Sequence, residues 1–471
     1  MISVKNKFDI VIIGGGPGGY VAAIRASQLG MSVAIVEKES LGGICLNWGC
    51  IPTKALLRTS EIKHILDNAE KYGFSIPDYK MDFDKIILRS REVSKQLSSG
   101  VEHLMKKNNV NVFKGFGKII NDSKNLKTVE VSSESNKKSI LLSATNIILA
   151  TGASSKNLSF LSSDGESVWD YKSAMIPKEL PKSLIVIGSG AIGMEFASFY
   201  SDLGCKVTVL EVQKSILPNE DHEISDFVYK NFLSRGVKIF TEAVITDIAI
   251  NKSVKCKINL NSNVTEIIAD KILLAVGVEA NIKNIGIENF NIKILNGSIV
   301  TDDWMETSEK GIYAIGDLTS GPWLAHKASH EGVLCVEKIK GLKVHKINKN
   351  EIPACTYSRP QVASIGITEK KAKEMGLDVK IGKFPFVGNG KAIALGDSEG
   401  LVKTIFDNQS GELLGAHMVG PEVTELIQGF AVAKRLETTE EELMTTIFPH
   451  PTLSESMHES VLDAFNKVIH F

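Results

Sequence analysis

Residues 8–19 read FDIVIIGGGPGG, an apolar run that leads directly into closely spaced glycines. Residues 183–193 read SLIVIGSGAIG and have the same form. An apolar strand that ends in a glycine turn and continues into a helix begins a βαβ unit, in which the glycines let the backbone approach a pyrophosphate at the helix N-terminus. The sequence therefore predicts an α/β protein with two dinucleotide-binding units.

The two copies correspond to each other residue by residue at a constant offset of 174. In each copy an acid ends the second strand, 18 positions after the last glycine, and an acid there accepts hydrogen bonds from a ribose. A single glycine fingerprint is a weak signal, but strand, turn, helix and acid recur together here. The corresponding residues are Gly14 and Gly188, Gly16 and Gly190, Gly19 and Gly193, and Glu37 and Glu211.

Two cysteines follow the first unit, in residues 42–54, GGICLNWGCIPTK. Cys45 and Cys50 are five positions apart, which is about 7.5 Å of ideal helix, whereas a disulfide spans roughly 4.4–6.8 Å between Cα atoms. A bond between them therefore requires a bent backbone. Pro52 favours a helix start, and a helix N-terminus favours a thiolate at Cys50. The spacing favours a working disulfide over a zinc site, which needs about four ligands, so no metal is expected. Lys54, one helical turn beyond Cys50, could supply positive charge to a thiolate or could be a surface lysine.

Residues 449–455, PHPTLSE, contain a candidate base. Two prolines favour a non-helical segment around His450, and Glu455 follows at short range. A carboxylate on one ring nitrogen raises the basicity of the other, and thiol–disulfide exchange needs a base because the thiolate attacks. A structural histidine is the alternative. Asp317 ends a predicted short strand, which is where open α/β sheets bind ligands, although it could simply cap the strand.

The bulk composition limits the other classes of function. A length of 471 residues predicts about three domains, and a net charge of −1 gives no case for nucleic-acid or membrane partners. No apolar run reaches the roughly 18 residues of a spanning helix. Six cysteines are too few for a disulfide scaffold. The first strand begins near Phe8, so we expect no signal peptide and a cytoplasmic protein, or a mitochondrial-matrix protein if this is a processed organellar form.

With these motifs in this order, the chain from Phe8 onward resembles the dihydrolipoamide dehydrogenase family, which belongs to the flavin-dependent pyridine nucleotide-disulfide oxidoreductases of class I. The resemblance implies oxidation of protein-bound dihydrolipoamide to lipoamide, with a tightly but non-covalently bound FAD and with NAD. It implies a homodimer with shared active sites. The implied partners are lipoyl domains of 2-oxo acid dehydrogenase or glycine cleavage complexes.

The resemblance also assigns site residues. His450 of the partner subunit, oriented by Glu455, deprotonates the dithiol, which attacks Cys45, while Cys50 faces the flavin. Glu195 pairs with Lys54 beside the flavin ring. The implied FAD contacts are Gly14, Gly16, Gly19, Glu37, Lys54, Gly117, Thr151, Gly152, Asp317 and Ala325. The implied NAD contacts are Gly188, Gly190, Gly193, Glu211 and Gly277.

The implied fold is α/β, with two Rossmann-like dinucleotide-binding domains, for FAD and NAD, and a C-terminal α+β dimerisation domain. We expect the FAD-binding domain at 1–150, the NAD-binding domain at 151–280, a central domain completing the FAD site at 281–349, and the interface domain at 350–471.

Two alternatives to this function stay open. The first is another flavin disulfide reductase, of the glutathione type, although Glu211 would repel the 2′-phosphate of its NADP. The second is a non-catalytic flavoprotein subunit or redox sensor. One departure from the family is Val278, which stands where an arginine is common and which leaves the nicotinamide side less defined.

Overall fold

The computed structural model describes residues 7–120, 127–133, 136–260 and 263–471. The chain divides into two compact units. Unit 1 comprises Met1–Ala55, Ile87–Lys156 and Val278–Ile347, and unit 2 comprises Leu56–Ile86, Asn157–Gly277 and Asn348–Phe471.

The helices of the described residues alternate with strands through most of the chain. They are α1 Pro17–Gln28, α2 Gly43–Trp48, α3 Cys50–Asp67, α4 Phe83–Lys107, α5 Tyr171–Met175, α6 Ala191–Asp202, α7 His222–Ser234, α8 Ala325–Ile339, α9 Glu369–Glu374, α10 Gly390–Leu395, α11 Val423–Arg435, α12 Glu440–Thr445 and α13 Glu455–Ala464.

The strands form several separate sheets. They are β1 Lys7–Ile13, β2 Val33–Glu37, β3 Asn111–Lys114, β4 Phe116–Ile120, β5 Lys127–Ser133, β6 Asn136–Leu149, β7 Ala153–Ser155, β8 Val168–Trp169, β9 Ser183–Ile187, β10 Lys206–Leu210, β11 Lys238–Phe240, β12 Val244–Ile250, β13 Val254–Leu260, β14 Asn263–Ala269, β15 Lys271–Leu274, β16 Val278–Ala280, β17 Ile294–Leu295, β18 Ser298–Ile299, β19 Ile312–Ala314, β20 Ala354–Thr356, β21 Gln361–Gly366, β22 Val379–Pro385, β23 Leu401–Asp407 and β24 Leu413–Gly420.

The main sheet of unit 1 is the parallel set that the first glycine fingerprint predicts. Its parallel strands run in the order β3–β2–β1–β6, and β19 pairs in parallel with the end of β6. The sheet continues from β6 with the antiparallel strands β5 and β4. Val11 and Ile13 pack on one face of β1, and Ile10 and Ile12 pack on the other with Ala22 of α1. Burial on both faces explains why this strand is a continuous apolar run rather than an alternating one.

Unit 2 repeats this arrangement around the second fingerprint. Its parallel strands run β11–β10–β9–β15–β8. In unit 1 Ile10 pairs with Val33, and at the same offset of 174 Leu184 pairs with Val207. The duplication read from the sequence therefore extends to the strand register, and the predicted fold class is confirmed.

The C-terminal part of unit 2 is an antiparallel sheet covered by helices. Its strand order is β20–β21–β24–β23–β22, and α11 and α13 pack against it through Phe430 and Val461. This is the α+β architecture predicted for the end of the chain. Among the described residues, no helix combines the length and the apolar character needed to cross a membrane.

Candidate active site

The outer glycines of each fingerprint are required by the chain's own packing. Gly14 has a φ of +107°, and a Cβ there would lie 2.2 Å from the carbonyl oxygen of Ala150. A Cβ on Gly19 would lie 1.9 Å from the carbonyl oxygen of Gly14. The second copy repeats both conditions. Gly188 has a φ of +98°, and a Cβ on Gly193 would lie 2.0 Å from the carbonyl oxygen of Gly188. These four glycines bring strand, turn and helix together.

The packing of the chain does not by itself require glycine at the middle position of each fingerprint. Gly190 has a φ of −69°, and a Cβ there would have no neighbour within 4 Å. A Cβ on Gly16 would meet only the Cα of Gly43, at 3.9 Å. Both residues immediately precede a helix, α1 or α6, at the place where a pyrophosphate binds backbone N–H groups. The space that a Cβ would fill fits a dinucleotide in close contact with the backbone.

This difference predicts opposite results for two neighbouring substitutions. Gly190→Ala should leave the melting temperature within about 2 °C of wild type, because surface-compatible changes cost within about 0.5 kcal/mol, and should weaken NADH binding about tenfold or more. Gly193→Ala should destabilise the protein by about 1–3 kcal/mol through overpacking. Thermal unfolding and a fluorescence titration with NADH measure both. Wild-type NADH affinity in Gly190→Ala would contradict a pyrophosphate at this turn.

The acid at the end of each second strand is held by its own turn. Glu37 accepts hydrogen bonds from the backbone N–H groups of Gly15 and Glu39, both at 2.7 Å. Glu211 accepts from the N–H and the hydroxyl of Ser189, at 2.9 and 2.6 Å. A carboxylate offers about four lone-pair sites, so each acid is oriented and keeps capacity for a ribose hydroxyl.

Thr151 and Gly152, predicted to border the flavin, are held by a residue that the sequence did not single out. The Thr151 hydroxyl donates to the carbonyl of Asn281 at 2.7 Å, and the Asn281 side chain donates to the carbonyl of Thr151 at 3.0 Å. The backbone N–H of Asn281 donates to the carbonyl of Gly152 at 2.9 Å. Gly152 has a φ of +70°, so the bend itself needs glycine.

Asp317 lies three residues after β19 and interacts electrostatically with a buried ion pair. Burial raises the pKa of the Asp317 carboxyl, and the charge of Lys327 opposes this shift. Lys327 and Glu331 are 2.9 Å apart in α8 and almost fully buried, and Glu331 accepts from the backbone N–H of Gly316 at 2.7 Å. Ala325 is the first residue of α8. The pair fixes the turn that carries Asp317.

Gly117 and Gly277, the remaining glycines predicted to contact the cofactors, differ in how closely they are packed. A Cβ on Gly117 would lie 2.9 Å from Cγ2 of Ile13, so the packing of β4 against β1 already requires glycine there. Gly277 has a φ of +100°, and a Cβ there would have no neighbour within 4 Å. Their roles toward FAD and NAD remain predictions.

The cysteine segment has the bent backbone that its spacing requires. Helix α2 ends at Trp48, the next residue Gly49 has φ and ψ of −140° and −116°, and α3 begins at Cys50. Cys45 is half-buried and hydrogen-bonds to Cys50, which is exposed. That hydrogen bond and burial raise the pKa of the Cys45 thiol, and the charge of Lys54 opposes the rise. Cys45 is therefore the more buried of the two thiols, and Cys50, at the start of α3, is the more accessible.

Helix α4 braces this segment from the side. The Arg91 guanidinium donates to the carbonyl of Asn47 at 2.7 Å and lies over the Trp48 ring, 4.8 Å from its centre. Arg89 donates to the carbonyl of Ala55 at 2.9 Å. No local motif in the sequence marks these long-range partners.

The histidine and glutamate near the C-terminus form a hydrogen-bonded pair. His450 Nδ1 and Glu455 Oε1 are 2.9 Å apart, and the backbone N–H of Thr452 donates to Glu455 Oε2 at 2.8 Å. Burial opposes ionisation of Glu455, but the hydrogen bonds from Thr452 and His450 lower the pKa of its carboxyl. The His450 side chain is 79% exposed in the single chain. With Nδ1 held, Nε2 is the atom that can exchange a proton.

Glu195 belongs to a polar stripe along α6. Its Oε1 accepts from the backbone N–H of Tyr357 at 3.0 Å, and Ser198 Oγ accepts from the backbone N–H of Arg359 at 3.0 Å. The Arg359 guanidinium also donates to Asp202 at 2.7 Å. The loop before β21 thus holds the helix that follows the second glycine turn. The pairing of Glu195 with Lys54 remains a prediction.

Comparison with known proteins identifies the family. Residues 8–332 match the pyridine nucleotide-disulphide oxidoreductase family, and residues 352–461 match its dimerisation domain. This chain belongs to the pyridine nucleotide-disulphide oxidoreductase family. The predicted resemblance, and with it the use of FAD and NAD, is confirmed.

Several members of the family are similar over their whole length. The chain is 52% identical to the dihydrolipoyl dehydrogenases of Zymomonas mobilis and Rhizobium etli, over 99% of this chain and 100% of each relative. Among solved structures, LpdA of Mycobacterium tuberculosis superposes with a TM-score of 0.90 at 27% identity, covering 97% of this chain and 99% of that one. The flavoprotein disulfide reductase RclA of Escherichia coli, in its Cu(II) complex, superposes with a TM-score of 0.85 at 27% identity, with the same coverage.

Proposed function

We propose that this protein is a dihydrolipoyl dehydrogenase, which oxidises protein-bound dihydrolipoamide to lipoamide and reduces NAD⁺. The observation that carries the proposal is the contact of half-buried Cys45 with exposed Cys50 at the bend between α2 and α3, in a segment whose Gly43 lies against Gly16 of the first dinucleotide turn. Full-length identity of 52% to two dihydrolipoyl dehydrogenases supports the same substrate.

The dithiol exchange follows from the acid–base properties of the two cysteines. His450 of the partner subunit takes a proton from one substrate thiol, and the resulting thiolate attacks Cys45 Sγ of the oxidised pair. The S–S bond breaks and Cys50 leaves as a thiolate. The second substrate thiol gives up its proton to water, and its sulfur attacks the first, which closes lipoamide and releases Cys45 with both electrons of the Cys45–substrate bond. The protonated His450 returns a proton to Cys45, whose raised pKa favours the thiol.

The remaining residues bind and orient the cofactors. Bound FAD would supply the acceptor for the electron pair of the dithiol, and bound NAD⁺ would supply the acceptor for a hydride. The residues proposed to hold FAD are Gly14, Gly16, Gly19, Glu37, Lys54, Gly117, Thr151, Gly152, Asp317 and Ala325, with Glu195 beside Lys54. Those proposed to hold NAD are Gly188, Gly190, Gly193, Glu211 and Gly277.

The position of Glu211 predicts the choice of nucleotide. Its carboxylate, oriented by Ser189, suits a ribose with free hydroxyls and repels a 2′-phosphate. The double variant Glu211→Ala/Lys214→Arg should lower the ratio of kcat/KM for NAD⁺ to that for NADP⁺ about tenfold or more. Lys206→Arg, an exposed change on the same nucleotide sheet, serves as the control. An unchanged ratio in the double variant would contradict the role of Glu211.

A steady-state assay of the purified protein tests the proposed function. We expect turnover with dihydrolipoamide and NAD⁺, and at least about a hundredfold lower kcat/KM with reduced glutathione and NADP⁺. The reverse preference would favour a glutathione-type reductase. Absence of turnover with either pair, in a protein that retains FAD, would favour a non-catalytic flavoprotein.

The assembly and the partners are part of the proposal. The match of residues 352–461 to the dimerisation domain supports a homodimer. Lipoyl domains of 2-oxo acid dehydrogenase or glycine cleavage complexes are the proposed partners, and copurification of lipoyl-bearing proteins tests them. The bacterial origin of the similar proteins supports the cytoplasm as the compartment.

A further inference from the structure

A second histidine–carboxylate pair lies one helical turn from the proposed catalytic pair. Glu459 follows Glu455 by four positions on α13, so the two side chains emerge from the same face of the helix. His470 Nδ1 and Glu459 Oε1 are 2.5 Å apart. Glu455 and His450 form the same kind of contact at 2.9 Å.

The carboxyl-terminal tail carries this second histidine back along the helix. Helix α13 ends at Ala464, and Asn466 has a φ of +56°, which reverses the chain. The backbone N–H groups of Ile469 and His470 then donate to Glu459 Oε2 at 3.1 and 3.5 Å. The Phe471 ring packs edge-on against Phe384, with ring centres 6.3 Å apart. These contacts hold residues 469–471 against α13 and β22.

The two carboxylates differ in their access to water. Glu459 is 6% exposed, whereas the Glu455 side chain is 32% exposed and the His470 ring 68% exposed. A buried carboxylate one turn from Glu455 makes the potential at the first pair more negative, and a proton on the His470 ring would counter that charge. In the same sense, the charge of His470 is one of the causes that lower the pKa of Glu455.

Several other charged groups on elements packed against α13 have partners of their own. From β22, Lys383 binds Glu223 through its ammonium and Asp463 through its backbone N–H, and Lys380 lies over the Phe465 ring. From β23, the Lys403 ammonium forms ion pairs with three carboxylates, those of Asp221, Glu223 and Glu369. From α12, Glu442 caps its own helix at Thr439, and Glu440 and Glu441 stand in its first turn. On α13 itself, His458 hydrogen-bonds to the carbonyl of Met444.

We propose that His470 and Glu459 are positioning residues for the catalytic base: the Glu459 carboxylate strengthens His450 as a proton acceptor, and His470 moderates that effect. The proposal rests on the proposed function, in which His450 is the base. Both pairs lie on the same chain, so the tuning travels with the histidine that each subunit lends. The chemistry is electrostatic, and no bond is made or broken.

Charge-changing variants separate this role from a structural one because they predict opposite signs. Glu459→Gln removes the negative charge, so the acidic limb of the pH profile of kcat/KM for dihydrolipoamide should move about 0.3–0.5 unit to lower pH. His470→Asn keeps a hydrogen-bond donor but removes the cation, so the limb should move about 0.3 unit to higher pH. His470→Lys, which restores a cation, should not show the upward shift. His222→Gln, an exposed histidine on α7, is the matched control.

A second readout does not depend on turnover. In the oxidised holoenzyme labelled with ¹³C-histidine, the NMR titration of the His450 ring should shift in the same directions as the kinetic limb. If Glu459→Gln does not fold, the two His470 variants still test the sign. Unmoved profiles, or shifts of the same sign in Glu459→Gln and His470→Asn, would overturn the proposal. Wild-type turnover in His450→Gln would instead overturn the assigned base, and with it this inference.

Discussion

A Cys45→Ser protein should oxidise dihydrolipoamide at least about 10³-fold more slowly than wild type, because a serine oxygen cannot form the mixed disulfide with the substrate. It should nevertheless keep bound FAD, and its Cys50 thiolate should give a long-wavelength charge-transfer absorbance with the flavin. Cys50→Ser should lose turnover and that absorbance together. Turnover in the forward assay and anaerobic absorption spectra of both variants measure the difference.

The distinction between the cysteines rests on their local environment. Cys45 is half-buried with a raised thiol pKa, whereas Cys50 stands at the N-terminus of α3, where the helix favours a thiolate. Cys355→Ser, which changes a half-buried cysteine of β20, is the control and should leave both readouts unchanged. Absorbance lost in Cys45→Ser but kept in Cys50→Ser would reverse the two roles.

His450→Gln should lower kcat/KM for dihydrolipoamide about 10²–10⁴-fold, the usual contribution of a positioned general base. Glutamine has a similar size and can still donate a hydrogen bond to Glu455, but it cannot accept the substrate proton. Reduction of an artificial electron acceptor by NADH bypasses the dithiol exchange, so its rate should stay at the wild-type level. The two assays on one preparation therefore isolate the base.

The His450 account also predicts a graded series. Glu455→Gln keeps an acceptor for Nδ1 and removes the charge, so its loss should be about tenfold and smaller than that of His450→Gln. A loss of the NADH-dependent acceptor activity in either variant would point to damaged cofactor binding instead. Equal losses in the two assays would contradict the assignment of His450 as the base.

The glycine units could be predicted from the sequence because their requirements are local. Gly14 and Gly19 contact the backbone of the same turn or of the neighbouring strand, and any sequence with this turn must meet the same steric condition. The repeat at an offset of 174 then predicted a second unit, and strand register bears this out. The bend between Cys45 and Cys50 followed from helix dimensions in the same way.

The supporting contacts could not be predicted because their partners are distant in the chain. Thr151 and Asn281 are 130 positions apart, and Arg91 reaches Asn47 across 44 positions. Lys327 and Glu331 form a supporting pair with a local signal, since positions four apart share a helix face. The predicted boundaries near 150, 280 and 349 stay predictions. Residues 312–314 of the expected central domain pair with β6 in the first sheet.

The central claim is that the Cys45–Cys50 pair receives electrons from a dithiol and passes them to the flavin. Anaerobic titration of the oxidised holoenzyme with dihydrolipoamide, in the absence of NAD⁺, tests this claim most directly. We expect the yellow protein to turn red as a long-wavelength absorbance band appears. The band should reach its maximum at about one equivalent of dithiol per subunit and should disappear when NAD⁺ is added. Bleaching of the flavin without that band, or no spectral change at all, would contradict the account.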